Sequence, residues 1–341
     1  MRFGNDVGVD LGTATMRIYV RGQGVILREP SVLAVDRQNG RVLQTGEEAR
    51  KMLGRTPANL CALQPITGGV IADFDMTVKL LREALRRTLP FSLIKPRLVF
   101  SIPDSITQVE ERAVVQAGLQ AGARRVYLVE APLAAAMGAG LPIRSAGGRM
   151  VVDIGAGCAD AAVLSLGGIC QSRSVSAAGD AMRDAIIRYV RRKHGVLIGA
   201  AMAEEAKLRI GCLWEPREDM SCEVKGRDLM TGMPRTVTLR ETEMPEALEE
   251  TALLLCDAIR SLLEQTPPEM VADIAQNGIL LTGGGSRLSG LEKYIEEYTR
   301  IPALTAENAE DCVITGMEQA MQRLDSMQDG ALNVARRKQL S

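Results

Sequence analysis

Paired cysteines and histidines are missing from this chain, and their absence excludes two kinds of structure. The seven cysteines form no CxxC pair, and His194 is the only histidine. An odd number of scattered cysteines is not a disulfide framework, and with so little histidine it is not a zinc site. We therefore expect small buried cysteines in a reducing compartment, and we interpret His194, which follows three basic residues, as marking a helix end.

An excess of positive charge is absent as well. The sequence has 41 Lys and Arg against 42 Asp and Glu, which gives a net charge of -1. A general nucleic-acid binder needs a basic surface to attract phosphate backbones. We therefore expect no nucleic-acid partner.

Long apolar runs are also missing. No segment reaches the length of a membrane span, and the first residues lead into a strand-like segment without a signal-peptide pattern. The chain is therefore expected to be cytoplasmic. Its 341 residues, 46% hydrophobic and 24% charged, are typical of a folded protein of two domains.

The most informative feature that is present is an internal repeat. Residues 7–12 read as a buried strand that ends in Asp10 and a glycine turn, and residues 16–20 alternate like the second strand of a hairpin. Residues 150–157 repeat this design, with Asp153 at the strand end. A repeat separated by nearly half the chain predicts two related lobes, each presenting an Asp-bearing hairpin to a shared cleft.

Strand-like and helical segments alternate along the rest of the chain, which predicts an α/β fold with sheets covered by helices. Pro267 and Pro268 are expected to end the longest helix. After Gly278 an apolar strand runs into a third glycine turn, and a helix is expected to start near Leu288. Helices are predicted at residues 109–122, 131–138, 181–193, 203–210 and 241–264, and a strand at residues 125–129.

Three glycine turns follow apolar strands, at residues 10–15, 153–158 and 283–286. Glycine allows backbone N–H groups to approach a phosphate closely, and a nearby hydroxyl adds a donor. A carboxylate at a strand end holds Mg²⁺, usually through water, because Mg²⁺ keeps much of its hydration shell. One such turn is commonly only a turn, but three together predict a phosphate site. The pattern is neither a Walker A loop nor a GxGxxG fingerprint.

Residues 10–15, 153–157 and 281–286 resemble the first phosphate, second phosphate and adenosine motifs of the superfamily that contains actin, sugar kinases and heat-shock chaperones. A closer resemblance, to the bacterial actin homologues of the MreB/Mbl type, extends over nearly the whole chain. The stretches that carry it, in the expected order, are residues 29–32 (EPSV), 54–57 (GRTP), 69–73 (GVIAD), 165–169 (SLGGI) and 265–269 (QTPPE).

The resemblance implies an actin-like ATPase fold of two lobes, each built on an RNase H-like sheet with flanking helices, with the nucleotide cleft between them. The implied lobe I core is residues 1–32, 66–144 and 316–335, with a small subdomain at 33–65. The implied lobe II core is residues 145–180 and 245–315, with a small subdomain at 181–244, and residues 336–341 form a frayed tail.

The resemblance also implies ATP and Mg²⁺ as ligands. The metal would be held by Asp10 and Asp153 through water. Glu204 and Lys207 would contact the sugar and base, although without the family they read as an i,i+3 charge pair on a helix. The implied nucleotide- and phosphate-binding residues are Asp10, Gly12, Thr13, Ala14, Thr15, Gly155, Ala156, Gly157, Glu204, Lys207, Gly283, Gly284, Gly285 and Ser286.

Members of this family form head-to-tail filaments at the inner face of the cell membrane, which organise cell-wall synthesis and cell shape with rod-complex membrane proteins. The resemblance implies these partners here. In the family an exposed apolar loop dips into the membrane, and the similar segment here places Phe91, Leu93 and Ile94 between two prolines. A buried loop is the alternative. Full burial of one such side chain contributes about 1.5–3 kcal/mol, so one subunit would bind weakly and a filament tightly.

The chain departs from the family at positions that concern catalysis. Family members carry a Glu that positions the attacking water where this chain has Ala131, and two threonines where it has Cys158 and Ala159. Thr15 stands where an Asn is usual. We therefore assign no catalytic residue and expect ATP hydrolysis to be weak or absent. Two alternatives stay open: a non-polymerising nucleotide-binding paralogue that regulates a true family member, and a small-molecule kinase, for which no acceptor base stands out.

Overall fold

The computed structural model describes residues 6–89 and 94–323. It divides the chain into two compact units, one of Met1–Pro142 with Glu310–Ser341 and one of Ile143–Ala309. The finer division into cores and small subdomains stays a prediction.

The strands and helices alternate along the chain in the way that the sequence predicts. The strands are β1 (Asp6–Leu11), β2 (Thr15–Val20), β3 (Gly24–Pro30), β4 (Leu33–Asp36), β5 (Val42–Thr45), β6 (Leu60–Leu63), β7 (Ile66–Thr67), β8 (Val70–Ile71), β9 (Arg97–Ile102), β10 (Arg125–Glu130), β11 (Arg149–Ile154), β12 (Ala159–Ser165), β13 (Gly168–Val175), β14 (Val196–Ile198), β15 (Ser221–Asp228), β16 (Pro234–Arg240), β17 (Ile279–Thr282) and β18 (Ala303–Thr305). The helices are α1 (Gly46–Met52), α2 (Phe74–Thr88), α3 (Gln108–Ala121), α4 (Ala131–Gly138), α5 (Gly179–His194), α6 (Ala200–Ile210), α7 (Met244–Gln265), α8 (Pro268–Asn277), α9 (Leu291–Thr299) and α10 (Cys312–Arg323).

Each unit is built on a five-stranded sheet, and the two sheets have the same connectivity. The strand order is β3-β2-β1-β9-β10 in the first unit and β13-β12-β11-β17-β18 in the second. In both sheets the first three strands pair antiparallel and the last two join in parallel. The internal repeat in the sequence is therefore a repeat of structure, and the α/β fold class is confirmed.

The central strands explain why the repeat was visible in the sequence. Val7 and Val9 of β1, and Val151 and Val152 of β11, are completely buried. A strand that is paired in parallel and covered on both faces reads as a continuous apolar run. The polar residue that follows each run, Asp10 or Asp153, therefore lies at the carboxyl end of a central strand.

Most predicted helix ends agree with the structure. Helix α3 begins with a capping box, in which Thr107 accepts from the Glu110 N–H and the Glu110 carboxylate accepts from the Thr107 N–H. Helix α5 ends at His194, followed by Gly195 in the left-handed conformation, so the interpretation of His194 is confirmed. Helix α7 starts at Met244, after a 3-10 turn at Glu241–Glu243, and ends at Gln265 before the two prolines.

The prolines end helix α7 as predicted, but the sequence missed the helix that follows them and placed the start of another too early. Pro267 and Pro268 end α7, but Pro268 also opens helix α8, because a proline fits the first turn of a helix, where its missing N–H is not needed. The helix expected near Leu288 begins at Leu291. Gly290 precedes it with a φ of 75°, and a Cβ there would lie 2.5 Å from the backbone N of Trp214. The positive φ and the close approach of Trp214 therefore require glycine at position 290, the residue before the helix.

The expectation of buried cysteines is confirmed only in part. Cys212, Cys222, Cys256 and Cys312 are buried, but Cys170 is exposed. It lies on β13, the outermost strand of its sheet, where a side chain can face solvent.

Of the three residues in the predicted membrane loop, the structure describes one. Phe91 and Leu93 lie outside the described residues, and Ile94 is 37% exposed. Within residues 6–89 and 94–323, no helix combines the length and apolar character needed to cross a membrane.

Candidate functional site

The two Asp-bearing hairpins turn in the same way. Gly12 donates its N–H to the Thr15 carbonyl at 3.2 Å, and Gly155 donates to the Cys158 carbonyl at 2.9 Å. A Cβ on Gly12 would lie 2.8 Å from the Thr15 oxygen, a distance that real Cβ atoms do not adopt. The turn is therefore tight enough to require glycine at its first position.

The carboxylates at the strand ends are held by matching hydroxyl groups. Ser101 Oγ donates to Asp10 Oδ1 at 2.8 Å, and Thr282 Oγ1 donates to Asp153 Oδ1 at 2.8 Å. Ser101 lies on β9 and Thr282 on β17, the strands that run parallel to β1 and β11. Neither hydroxyl was among the predicted site residues. The structural repeat is the signal that would have found them, because each occupies the same place in its sheet.

The residues opposite these carboxylates differ in charge. Asp10 is paired across its hairpin with Arg17, whereas Asp153 is paired with Asp160. Arg17 Nη1 lies 3.3 Å from Asp10 Oδ2 and donates a hydrogen bond to it. Burial raises the pKa of Asp10, and the charge of Arg17 and the hydrogen bond from Ser101 oppose that shift only in part. Asp160 is 3% exposed and accepts a hydrogen bond from Ser174.

The second and third glycine turns lie against each other in the second unit. A Cβ on Gly283 would lie 2.4 Å from the Ile154 carbonyl oxygen, and one on Gly285 would lie 3.2 Å from the Gly155 oxygen. Ser286 is 2% exposed and donates its hydroxyl to the Gly283 carbonyl at 2.7 Å. The Ser286 side chain therefore stabilises the third turn, while Gly284 is exposed at its surface.

Helix α5 and Lys207 complete the surroundings of the second turn. Gly179 and Asp180, at the start of α5, donate their N–H groups to the Gly155 and Ala156 carbonyls at 3.1 and 2.8 Å. Lys207 Nζ donates to the Gly179 carbonyl at 2.8 Å and lies 2.8 Å from the Glu204 carboxylate. The predicted charge pair is confirmed, and it lies beside the second glycine turn.

The first glycine turn is built in the first unit. Thr13 is 6% exposed, and its hydroxyl accepts a hydrogen bond from the Gly69 N–H at 2.9 Å. Ser31 stabilises the turn through two hydrogen bonds. Its hydroxyl donates to the Gly12 carbonyl at 2.6 Å, and its N–H donates to the Ala14 carbonyl at 2.9 Å. Ala14 is exposed at the tip. A rigid turn with an exposed tip can present backbone N–H groups to a phosphate.

The site offers few ligands for a metal ion. Among the described residues there is no group of three or more histidine, cysteine, aspartate or glutamate side chains able to hold one. Mg²⁺ commonly binds through one or two carboxylates together with water and substrate phosphates. Asp153 and Asp160, opposite each other on one hairpin, fit this pattern. Asp10 stays a predicted ligand: Ser101 and Arg17 each donate a hydrogen bond to one of its oxygens, much as Ser174 and Cys158 do to those of Asp160.

The positions at which the chain departs from the family carry little polar chemistry in either unit. Ala131 is the first residue of helix α4, and its methyl group cannot orient a water molecule. Cys158 Sγ lies 3.5 Å from Asp160 Oδ2. The thiol donates to this carboxylate, and a carboxylate is ordinarily too weak a base to activate a thiol.

Comparison with known proteins agrees with the family resemblance of the sequence stretches. Residues 4–329 match the MreB/Mbl protein family. The chain is 43% identical to the cell shape-determining protein Mbl of Bacillus cereus, over 97% of this chain and 99% of that protein. It is 45% identical to the cell shape-determining protein MreB of Escherichia coli, over 95% of each.

A solved structure shows the same fold. The crystal structure of MreB 5 of Spiroplasma citri bound to AMPPNP has a TM-score of 0.91 and 31% sequence identity, and the match covers 96% of this chain and 98% of that one. The repeated sheets are thus those of an actin-like fold. On its sequence and on its structure, the chain belongs to the MreB/Mbl family.

Proposed function

We propose that this chain is an ATP-binding, actin-like cytoskeletal protein that contributes to cell shape. The observation that carries the proposal is the match to cell shape-determining proteins over at least 95% of the chain, at 43% and 45% identity. The AMPPNP bound by the Spiroplasma protein supports a nucleoside triphosphate as the ligand.

ATP would be bound by the glycine turns and the residues beside them. Backbone N–H groups of Gly12 to Thr15 and of Gly155 to Gly157 would face the phosphates. The turn of residues 283–286, which packs on Gly155, would lie near the adenosine. Lys207 and Glu204, beside the second turn, would reach the sugar and base. Mg²⁺ would accompany the phosphates, held through water by carboxylates of the hairpins.

Calorimetric titration with AMPPNP and Mg²⁺ tests this proposal. The native protein should bind, and Asp153→Asn should weaken the binding by about tenfold, a loss of about 1.4 kcal/mol. Asp219→Asn, which removes a carboxylate from an exposed position of the same unit, is the matched control and should bind like the native protein. Failure of the native protein to bind nucleotide would refute the proposal.

The finer parts of the proposal follow the family resemblance. The chain would polymerise head to tail at the inner face of the cell membrane, organise cell-wall synthesis there, and bind membrane proteins of the rod complex. Ala131, Cys158 and Ala159 favour a second candidate, a non-polymerising relative that binds nucleotide and regulates a filament-forming member. Sedimentation of the purified protein with and without AMPPNP separates the two, because only a filament-forming protein pellets in response to nucleotide.

A further inference from the structure

We infer that Arg17 is a built-in counter-ion for Asp10, so that the Mg²⁺ dependence of nucleotide binding comes from the second hairpin and not from the first. The inference rests on the proposed nucleotide binding and assigns unequal roles to the two repeated hairpins. Arg17 acts in it as a positioning residue, through Asp10.

The contacts of Arg17 place a positive charge directly on the Asp10 carboxylate. Its Nη1 is 3.3 Å from Asp10 Oδ2, and its side chain is only 12% exposed, against 16% for that of Asp10. Two charges so close and so little hydrated interact more strongly than an exposed surface pair. With Ser101 on the other oxygen, the carboxylate has a cation beside one oxygen and a hydroxyl donor on the other.

Two other acidic residues, Glu310 and Asp311, lie near Arg17 but do not replace Asp10 as its hydrogen-bond acceptor. Arg17 Nε lies 3.3 Å from Asp311 Oδ1, and its Nη2 lies 4.0 Å from Glu310. The contact with Asp311 is an ion pair without hydrogen-bond alignment, since both of these buried atoms lack a hydrogen-bond partner. Arg28 pairs with the other oxygen of Asp311 and supplies it with a second positive charge. Arg17 therefore donates its hydrogen bond to Asp10.

In the second hairpin, the residue opposite the strand-end aspartate is negatively charged instead of positively charged. Where Arg17 faces Asp10, Asp160 faces Asp153, and both aspartates are buried. Residues directly opposite on an antiparallel pair project from the same face of the sheet, and like charges there repel. A bound Mg²⁺ would reduce that repulsion, whereas at Asp10 it would meet a carboxylate that already has a cation beside it.

The test compares AMPPNP binding in excess Mg²⁺ and in EDTA, and uses the ratio of the two Kd values. Asp10→Asn should keep the gain that the native protein obtains from Mg²⁺, whereas Asp153→Asn should lose most of it. Arg17→Met exposes the Asp10 charge to the phosphates, so binding in EDTA weakens and the ratio should rise by about tenfold, as is typical of coupled sites. Adding Asp10→Asn to Arg17→Met should return the ratio to the native value.

The matched control is Arg21→Met, which removes an arginine from the other end of the same hairpin, where Asp6 keeps Arg97 as its partner. It should leave the ratio unchanged. If Arg17→Met does not fold, Asp10→Asn alone decides the matter: loss of the Mg²⁺ gain in that variant would make Asp10 the metal carboxylate and overturn the inference. An equal ratio in the native protein and Arg17→Met would overturn it too.

A nucleotide-free measurement separates this inference from the proposed function. Mg²⁺ alone should raise the melting temperature of Arg17→Met, where it replaces the lost cation, more than that of the native protein. The same response in both proteins would contradict the inference. A native protein that binds no AMPPNP would refute the proposed function, but this melting experiment would still decide the role of Arg17.

Discussion

At the scale of single residues, Ala131 is the position with the largest expected effect on nucleotide turnover. Phosphoryl transfer to water depends on a group that orients the attacking molecule. Help of this kind is typically worth 10²–10⁴-fold, and a methyl group supplies none. Glu130 is the adjacent residue but ends strand β10, and neighbouring side chains leave the backbone in different directions. We therefore predict slow hydrolysis by the native protein and faster hydrolysis by Ala131→Glu, by about 10²-fold.

Phosphate release under identical conditions measures this difference. Ala131→Ser, which adds a hydroxyl but no carboxylate, is the control and should stay close to the native rate. Equal rates for the native protein and Ala131→Glu would mean that another residue positions the water.

Asp6 gives a prediction about pH. Its carboxylate is 3% exposed, and Arg97 donates to it through two nitrogens at 2.6 Å each, while Arg21 donates at 3.1 Å. Burial raises the pKa of Asp6, but the hydrogen bonds and charges of Arg97 and Arg21 outweigh it, so the pKa lies below its ordinary value. Because the folded pKa is the lower one, these contacts stabilise the fold above about pH 4 and lose their effect as the pH falls through the folded pKa.

We predict that Asp6→Asn lowers the free energy of unfolding by about 1–3 kcal/mol at neutral pH. The difference from the native protein should shrink as the pH is lowered below about 4. Urea denaturation of both proteins over a pH series measures it. A difference that stays the same at every pH would show that the Asp6 charge does not contribute.

The site residues divide into those that a local pattern reveals and those that it does not. Asp10, Asp153 and the glycine turns stand out because an apolar run, a carboxylate and a glycine are consecutive in the sequence. Ser101 and Thr282 are 91 and 129 residues away from the carboxylates they bind, so their roles depend on how parallel strands pair. The counter-charge at Arg17 depends likewise on the register of a hairpin, which the sequence pattern alone does not fix.

At the scale of elements, helices α4 and α10 of the first unit approach each other closely at two glycines. A Cβ on Gly138 would lie 1.8 Å from the Cys312 carbonyl oxygen, and a Cβ on Gly316 would lie 1.8 Å from the Ala134 oxygen. Small residues thus let two backbones touch. The buried run Ala134 to Ala136 on α4 shows why this helix is rich in alanine.

Gly316→Ala is therefore predicted to push the two helices apart and to lower the free energy of unfolding by at least about 1–3 kcal/mol. Gly168→Ala is the matched control, because its Cβ would have open space and its φ is not positive, and it should change stability by less than about 0.5 kcal/mol. Denaturant unfolding measures both variants. Equal stabilities would show that α4 and α10 are not in this contact.

The elements that the sequence predicted are those with a strong period and a clear end. Helices α3, α5 and α7 combine apolar spacing with a cap, a glycine or a proline. Helix α8 was missed because Pro267 and Pro268 signal the end of one helix, and nothing local shows that the second proline also begins another. Helix α9 starts three residues later than predicted, after Gly290, whose close contact with the distant residue Trp214 is not visible in a local pattern.

At the scale of the whole molecule, the repeat and the family agree because both reflect the same pair of sheets. The strand order of the first unit recurs in the second, although the two hairpins share few residues beyond Asp and Gly. The fold was therefore predictable from repeated patterns and the family stretches. The behaviour of the assembled protein is a different matter, because it depends on contacts with other molecules, which a single chain does not contain.

Membrane association is the prediction that belongs to this scale. The predicted loop of Phe91, Leu93 and Ile94 would insert only part of its apolar surface, so a single subunit should bind vesicles weakly. A filament would join many such loops, and the linked sites would make binding tight. We therefore predict that the protein sediments with vesicles of mixed neutral and anionic lipids more completely when AMPPNP is present. Changing all three residues to Ser should leave it in the supernatant, with a melting temperature lowered by less than about 4 °C, or roughly 1 kcal/mol.

The control replaces Leu229, Met230 and Met233 by Ser, since these are exposed apolar residues at the turn between β15 and β16, and it should sediment like the native protein. A large loss of stability in the loop variant would show that the loop is part of the core, and unchanged sedimentation would show that the membrane is bound elsewhere.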